Sequence, residues 1–273
     1  MNRETPAPPL TLLKLGGSLI TDKAREATLR PAVLDRLAAE VAAALAARPG
    51  LPLLMGHGSG SFGHFPGRRH ATRDGVRGRA GWAGFAEVAA AAGRLNRLVT
   101  DALRAAGVPV LSLQPSASAR CHDGALVALD LAPVRAALAH GLVPLLYGDV
   151  ALDDVRGGTI VSTEEIFLTL ARALRPGRIL LVGEAPGVLD GAGAVIARLR
   201  PEDGAWVQAG LGGSAGVDVT GGMDSKVNAM LALVAAQPGL AVRVFSGLPA
   251  GELTRALLDP AYPAGTLLAA GAD

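Results

Sequence analysis

Apolar and polar residues alternate along this chain in blocks that predict short strands separated by helices. Almost wholly apolar runs predict buried strands at residues 10–18, 51–55, 108–113, 142–148, 178–183 and 240–247, the first of them ending at Gly16-Gly17. Segments rich in alanine and leucine predict helices at residues 31–48, 83–106, 133–140, 164–174 and 222–236, with a last short helix near Gly251. We expect irregular structure between the second strand's glycine-rich loop and residue 83, and a loop or hairpin from 184 to 221.

Strands that alternate with helices and are apolar throughout predict a mainly parallel sheet covered by helices on both faces. The predicted fold class is therefore α/β. The sequence shows no internal repeat and no low-complexity linker. We therefore expect one continuous domain over residues 1–273, with one lobe at about 1–175 and a second at about 176–273.

Composition narrows the possible functions. Half of the 273 residues are apolar, 18% are charged and the formal net charge is only +2, so neither disorder nor general nucleic-acid binding is expected. The one basic cluster, residues 67–79, lacks interleaved aromatic residues, which favours a solvated or substrate-facing loop over a nucleic-acid patch. Cys121 is the only cysteine, and no leader-like or membrane-spanning apolar run is present. We expect a soluble, cytoplasmic protein.

Lysine is rare in this chain. Only three of its 26 basic residues are lysines, namely Lys14, Lys23 and Lys226, and all three lie in glycine-bearing segments. A lysine ammonium is a compact charge on a flexible stem, which the planar guanidinium of arginine does not reproduce. The retained lysines are therefore candidate functional residues.

The stretch GHGSGSFGH, residues 56–64, contains the spacing G-x-G-x-x-G at Gly58, Gly60 and Gly63. A dinucleotide-binding fold requires a helix after this loop, and Pro66-Gly67 argues against one. It also requires an acidic residue at a strand end about 20 positions later, whereas Asp74 lies in a loop-like RDG. A P-loop is excluded because His64-Phe65 replaces the lysine and hydroxyl pair. The remaining reading is a turn whose backbone N–H groups face an anion.

Two other segments share this character. LKLGGS, residues 13–18, places Lys14 on a strand with two glycines at its carboxyl end, where α/β sheets bind ligands. VTGGMDSKV, residues 219–227, places two glycines at a helix start with Lys226 one turn inside. Three glycine-rich turns with three lysines predict a site for a polyphosphate.

Taken together, KLGGS, the GxGxFGH loop and DVTGGMxxK resemble the amino acid kinase superfamily, and within it the isopentenyl phosphate kinases, with fosfomycin kinases as near relatives. SLQPSA at 112–117 and VPLLYGDV at 143–150 are similar to the same pattern. The resemblance implies an αβα sandwich with a mainly parallel central sheet, and transfer of the ATP γ-phosphoryl group to isopentenyl phosphate. It also implies Mg²⁺ bound with ATP, and a homodimer without nucleic-acid or membrane partners.

The resemblance further implies a role for each matching residue. The residues implied for ATP are Lys14, Gly16, Gly17, Ser18, Gly60, Gly183, Gly222 and Lys226. The residues implied for the acceptor are Ser59, Gly60, His64 and Thr163. Lys14, Lys23, His64 and Lys226 form the implied catalytic group, in which Lys23 stabilises the transition state and His64 binds the acceptor phosphate. No protein ligand to a metal is implied.

The chain departs from the family pattern in three places. Gly58-Ser59-Gly60 stands where the family usually has three glycines, which adds a side chain beside the acceptor. Residues 162–165, STEE, replace SGDD, so Glu164 is expected to take the place of an organising aspartate. Residues 183–188, GEAPGV, replace TDVDGV in the nucleotide segment.

An isopentenyl tail requires an apolar pocket, and the helix expected at 83–106 is the candidate wall. Its candidate residues are Trp82, Phe85, Ala86, Ala89 and Ala90. Two alternatives remain open at this point. One is a kinase of the same fold for another small acceptor, such as a fosfomycin-like phosphonate or another alkyl phosphate, and the other is a non-catalytic nucleotide-binding regulator.

Overall fold

The structure, a computed structural model, describes residues 8–203 and 223–271. Its strands are β1 Thr11–Leu15, β2 Leu53–His57, β3 Val110–Ser112, β4 Arg120–His122, β5 Ala125–Ala128, β6 Val143–Tyr147, β7 Asp149–Asp153, β8 Gly157–Val161, β9 Arg178–Gly183, β10 Arg198–Leu199, β11 Ala241–Ser246 and β12 Thr266–Ala269. Its helices are α1 Gly17–Ile20, α2 Pro31–Ala47, α3 Gly60–Arg69, α4 Gly78–Ala105, α5 Ala132–Ala139, α6 Thr163–Leu174, α7 Met223–Ala236 and α8 Glu252–Leu258.

Eight of the strands form one sheet in the order β10-β12-β11-β9-β1-β2-β6-β3. All neighbouring pairs are parallel except β11 with β12. Strands from both ends of the chain share this sheet, and β1 lies near its centre between β2 and β9. The predicted mainly parallel sheet is confirmed.

Successive residues of the central strands enter two separate cores. Leu12 and Leu54 pack with α6 and α7 on one face, whereas Leu13 and Met55 pack with α2, α4 and α8 on the other. Side chains alternate between the faces of a strand, so a strand covered on both sides must be apolar at nearly every position. This explains the continuous apolar runs and gives the expected three layers, helices, sheet and helices.

The glycine-rich loop continues into a helix, α3, and the expectation of irregular structure there is wrong. Pro66, a residue type that disfavours a helix interior, lies inside this helix. Phe62 and Pro66 are four residues apart and both buried, so they share one face of α3. Packing of that face outweighs the hydrogen bond that proline cannot donate.

A second sheet of four strands, in the order β5-β4-β7-β8, was not predicted, and neither was β12 at the far edge of the main sheet. β4 and β5 are only three and four residues long. Val127 and Leu152 of this sheet are exposed. Short strands with apolar residues on the solvent side carry no clear period-two pattern, which is why the sequence did not reveal them.

Candidate active site

The glycine turns after β1 and β2 meet at the carboxyl edge of the main sheet. The Gly16 N–H donates to the Val182 carbonyl of β9 at 2.7 Å, and the Gly58 N–H donates to the Leu15 carbonyl of β1 at 3.0 Å. Three neighbouring parallel strands therefore end together. This is the edge at which α/β sheets bind ligands.

The two turns touch backbone to backbone. A Cβ atom added at Gly17 would lie 2.4 Å from the Gly60 nitrogen, and one added at Gly60 would lie 2.2 Å from Thr21 Oγ1. Gly60 also has a φ of +48°, in the left-handed region that side chains disfavour. Both positions therefore require glycine. The contact also fixes the first turn of α3, in which the Ser61 N–H donates to Thr21 Oγ1 at 3.0 Å.

Lys14 and Lys226 meet at one carboxylate, that of Glu164. Each ammonium lies 2.9 Å from Glu164 Oε1. Lys14 shares its face of β1 with Leu12, so it points toward α6 and α7, where Glu164 and Lys226 lie. Glu164 therefore joins the two lysines, and its organising role in place of an aspartate stays a prediction.

The Glu164 carboxylate is charged despite its burial. Its side chain is 13% exposed, and that of Lys14 is 12% exposed. Burial alone would raise the pKa of Glu164, but the Lys14 and Lys226 ammonium groups overcome this and hold it at about 2. The cluster carries one net positive charge at neutral pH.

Lys23 belongs to a second cluster around Glu184. Its ammonium lies 3.2 Å from Glu184 Oε2, and Arg30 Nη1 lies 2.7 Å from Glu184 Oε1. Partial burial opposes ionisation of this carboxylate, yet the bonds from Arg30 and Lys23 hold the pKa of Glu184 below its usual value. Sequence reasoning noticed the departure at this segment but missed the ion pair.

His64 lies on α3 beside the two clusters and is exposed to the cavity. Desolvation at the cavity wall lowers the pKa of His64, and the charges of Arg68 and Lys226 lower it further. The ring is therefore mainly neutral at pH 7 and offers one N–H. Arg68, four residues later on the same helix, also lines the cavity and was not singled out from the sequence.

One cavity of about 1000 Å³ is lined by the three lysines, Glu164, Glu184, His64 and Arg68. Of the residues expected at the site, the cavity is lined by Lys14, Gly16, Gly17, Ser18, Lys23, Ser59, Gly60, His64, Thr163, Gly183 and Lys226. Gly222 lies outside the described residues. The structure thus brings together every described residue that the resemblance implies for catalysis, for ATP or for the acceptor.

Thr163 and Ser59, both implied for the acceptor, have contacts within the protein. The Thr163 hydroxyl donates to the His57 carbonyl at 2.6 Å, and the residue is buried. Ser59 packs over Gly63, where an added Cβ would lie 2.5 Å from Ser59 Oγ. Direct contact of either side chain with a substrate stays a prediction, and the Thr163 hydroxyl already has a structural partner.

The expected apolar wall lies on the right helix but the wrong face. Ala86, Ala90 and Trp82 of α4 are exposed. Val88 and Ala92, four residues apart on the buried face, line the cavity instead, together with Ile160 of β8. The helix is alanine-rich on several sides, so composition alone did not fix which side faces the cavity.

A buried histidine supports the β2 end of the site and was missed. His57 Nδ1 donates to the Gly58 carbonyl at 3.0 Å, and the Asn96 amide lies 3.4 Å from Nε2. Burial lowers the pKa of His57 to about 4 against the Gly58 bond, and the Lys14 charge adds to the lowering. A neutral ring with its proton on Nδ1 satisfies both contacts. The G-H-G context gave no signal that separates this histidine from His64.

Comparison with known proteins accords with this geometry. The model of the amino acid kinase family matches residues 9–246. The chain belongs to the amino acid kinase family. Two relatives within it are the isopentenyl phosphate kinases of Haloferax volcanii and Methanothermobacter thermautotrophicus. The first is 41% identical over 249 residues, with 89% of this chain and 96% of that protein covered. The second is 34% identical over 264 residues, with 91% and 95% covered.

Two solved structures share the fold of this chain. One, described as X-ray structures of isopentenyl phosphate kinase, superimposes with a TM-score of 0.79 at 29% identity, covering 94% of this chain and 99% of that one. N-acetylglutamate synthase from Neisseria gonorrhoeae superimposes with a TM-score of 0.66 at 16% identity, which is evidence for fold alone. The family and fold class predicted from the sequence are confirmed.

Neither a membrane span nor a metal cluster is found in residues 8–203 and 223–271. No helix in these ranges combines the length and apolarity needed to cross a bilayer. The same ranges contain no group of three or more histidine, cysteine or acidic side chains placed to hold a metal ion.

Proposed function

We propose that this protein transfers the γ-phosphoryl group of ATP to isopentenyl phosphate, giving isopentenyl diphosphate and ADP. The observation that carries the proposal is one continuous cavity, with three lysines at the sheet edge and an apolar wall of Val88, Ala92 and Ile160 beyond His64. Cations suit two phosphate groups, and the apolar end suits a short hydrocarbon tail. Two relatives, at 41% and 34% identity, are named isopentenyl phosphate kinases.

The ATP phosphates would lie between the first glycine turn and the Glu164 cluster. Lys14 and Lys226 supply positive charge there, and Gly16 and Gly17 allow close approach of the main chain. Ser18 and Gly183 line the same part of the cavity, and Gly222 completes the set that the resemblance implies. The acceptor phosphate would lie beside Ser59, Gly60 and His64.

The reaction requires no covalent intermediate with the protein. An oxygen of the acceptor phosphate attacks the γ-phosphorus, the bond from that phosphorus to the bridging oxygen breaks, and ADP leaves with the electron pair. A phosphate monoester has a second pKa of about 6, so the acceptor is ionised at neutral pH and needs no general base. Catalysis then rests on alignment and on cations that face the transferring group, with Lys23 in that role.

Mg²⁺ would accompany ATP. The Glu164 carboxylate is taken up by two lysines, and Asp149 accepts the N–H groups of Ser116 and Val150. These side chains therefore fit an ion held by phosphate oxygens and water, not a cage of protein ligands. When bound, Mg²⁺ neutralises charge on the β- and γ-phosphates.

The division of labour along the chain is also a proposal. Groups at the acceptor end, including His64, Arg68, Val88 and Ile160, come from the part before residue 175. Gly183 to Pro186, Val244 and Leu268 line the cavity from the part after it. This supports an acceptor-binding lobe at about 1–175 and a nucleotide-binding lobe at about 176–273, within one domain.

Under this proposal the enzyme works as a homodimer in the cytoplasm, as the resemblance implies. Light scattering coupled to size-exclusion chromatography measures the assembly directly. A mass of about twice 27.5 kDa is expected, and a monomer at working concentration contradicts the dimer.

The acceptor is tested by ADP release with isopentenyl phosphate, fosfomycin, N-acetylglutamate and UMP. We expect turnover with isopentenyl phosphate to exceed the others by at least about tenfold in kcat/KM. His64→Gln should raise the KM for isopentenyl phosphate about tenfold and leave the KM for ATP unchanged, since one bond to a phosphate is lost. Brisk turnover of another acceptor alone identifies a kinase of different specificity. No turnover with any acceptor favours a nucleotide-binding regulator.

A further inference from the structure

All three lysines of the chain are paired, and they share only two carboxylates. Glu164 accepts Lys14 and Lys226, and Glu184 accepts Lys23. Both glutamates line the same cavity. Each of the three lysines therefore forms an ion pair with a carboxylate at the site. No sequence motif predicted the pair of Lys23 with Glu184.

Glu184 is held in place from two sides. It follows Gly183, the last residue of β9, and its carbonyl accepts the Ser246 hydroxyl of β11 at 3.0 Å. Its carboxylate accepts Arg30 Nη1 at 2.7 Å. Arg30 comes directly before α2. The carboxylate is therefore fixed by the sheet on one side and by a helix start on the other.

Lys23 lacks such support of its own. It lies on the segment between α1 and α2, and its side chain is 49% exposed. A lysine side chain loses rotamer freedom when it is fixed, so an exposed lysine does not stay in one place without a partner. In the part of the chain that the structure describes, the Lys23 ammonium forms an ion pair with Glu184 Oε2 at 3.2 Å.

We propose that Glu184 is the positioning residue for Lys23, holding its ammonium at the cavity wall where the transferring phosphoryl group must pass. The inference rests on the proposed function, because it assigns Lys23 to phosphoryl transfer. Glu184 lies in residues 183–188, GEAPGV, one of the three places where the chain departs from the family pattern. Glu184 does not touch the reacting atoms in this role; it acts through Lys23.

The charge of Glu184 gives the proposal a distinctive signature. A carboxylate at this wall repels the ATP phosphates while it steadies the lysine. Removing its charge should therefore weaken turnover without weakening ATP binding. A residue that only supports the fold would lower both, or lower stability.

The first test compares Glu184→Gln with Glu26→Gln. Glu26 is a matched control, since it lies on the same segment as Lys23 and pairs with Arg69 at 2.9 Å away from the cavity residues. We expect Glu184→Gln to lower kcat about tenfold, with the KM for ATP unchanged or lower. Glu26→Gln should stay within twofold of wild type, a margin of about 0.4 kcal/mol.

Glu184→Asp separates charge from shape. The flexible lysine stem can follow a carboxylate withdrawn by one methylene, so Asp should recover most of the kcat that Gln loses. The proposal is overturned if Glu184→Gln keeps wild-type kcat, or if kcat and ATP affinity fall together. It is also overturned if Asp is no better than Gln.

A second measurement needs no turnover. Brief acetylation with acetic anhydride, followed by peptide mass spectrometry, gives the reaction rate of each of the three lysines. Lys23 should react several-fold faster in Glu184→Gln than in wild type, whereas Lys14 should not change. Equal Lys23 rates would contradict the proposal. A faster Lys23 in a protein that phosphorylates no acceptor would instead uphold the ion pair and reject the proposed function.

Discussion

Two glutamates face the same cavity, and each binds two cations, yet their surroundings differ. Glu164 lies at the start of α6 with a side chain 13% exposed, and its partner Lys14 comes from a central strand. Glu184 is 28% exposed, and its partner Lys23 comes from a connecting segment and is 49% exposed. A glutamate paired with two cations therefore occurs twice, once largely buried at Glu164 and once partly exposed at the cavity wall at Glu184.

Because the two clusters differ in exposure, we expect the Glu164 cluster to affect folding stability and the Glu184 cluster to affect the rate of turnover. A buried ion pair leaves an uncompensated charge when one partner is removed, so it is tied to folding. A partly exposed pair is screened by water and salt and contributes little to folding, so its value lies in where it holds a side chain. The predictions below test this separation.

Breaking the Glu164 cluster should have the largest effect. Glu164→Gln leaves the buried Lys14 ammonium without its counter-charge, and we expect the free energy of unfolding to fall by about 3 kcal/mol or more. Denaturant titration followed by circular dichroism measures this. Glu164→Asp, which keeps the charge, serves as the control. A loss below about 1 kcal/mol in Glu164→Gln would show that water reaches the cluster.

Acid should reveal the same cluster in the wild type. The pKa of Glu164 is about 2 in the folded protein against 4.5 normally, so the folded state is stabilised while the carboxylate stays ionised. The contribution is complete above about pH 4.5, is lost as the pH falls toward 2, and amounts to about 3 kcal/mol. Because Glu164→Gln cannot titrate there, the stability difference between the two proteins should shrink over this range. A constant difference from pH 5 to 2.5 would contradict the assigned pKa.

Removing Lys23 should have the smallest effect on folding. Since its pair with Glu184 is half exposed, Lys23→Ala should change the free energy of unfolding by less than about 1 kcal/mol. Its kcat should fall on the order of 100-fold, with ATP affinity nearly unchanged, because the contact matters in the transition state. Arg25→Ala on the same exposed segment is the control for stability and kinetics. Equal losses of turnover and ATP affinity would refute the role of Lys23.

Local patterns in the sequence were sufficient for the central strands of the sheet and for the glycine turns. Lys14 is also visible within a few residues, whereas Glu164 was implied by the resemblance to the family. The helix α3 was missed because Pro66 is a local signal against helix, whereas the packing of Phe62 that favours it is tertiary.

Features that depend on distant parts of the chain could not be predicted. The pairing of Lys23 with Glu184 joins a segment before α2 to the end of β9, and no spacing rule connects them. The apolar wall required the rotation of α4, which placed Val88 and Ala92 on the cavity in place of Ala86 and Ala90. An alanine-rich helix has too little contrast between its faces to fix that rotation.

The contact between Gly17 and Gly60 has a consequence for how such an enzyme can change. Because the two turns touch through main-chain atoms, the backbone of these turns would set the separation between the donor and acceptor phosphates under the proposed function. Substitutions along α3, α4 and β8 would then change which acceptor fits the cavity. The distance over which the phosphoryl group is transferred would stay the same.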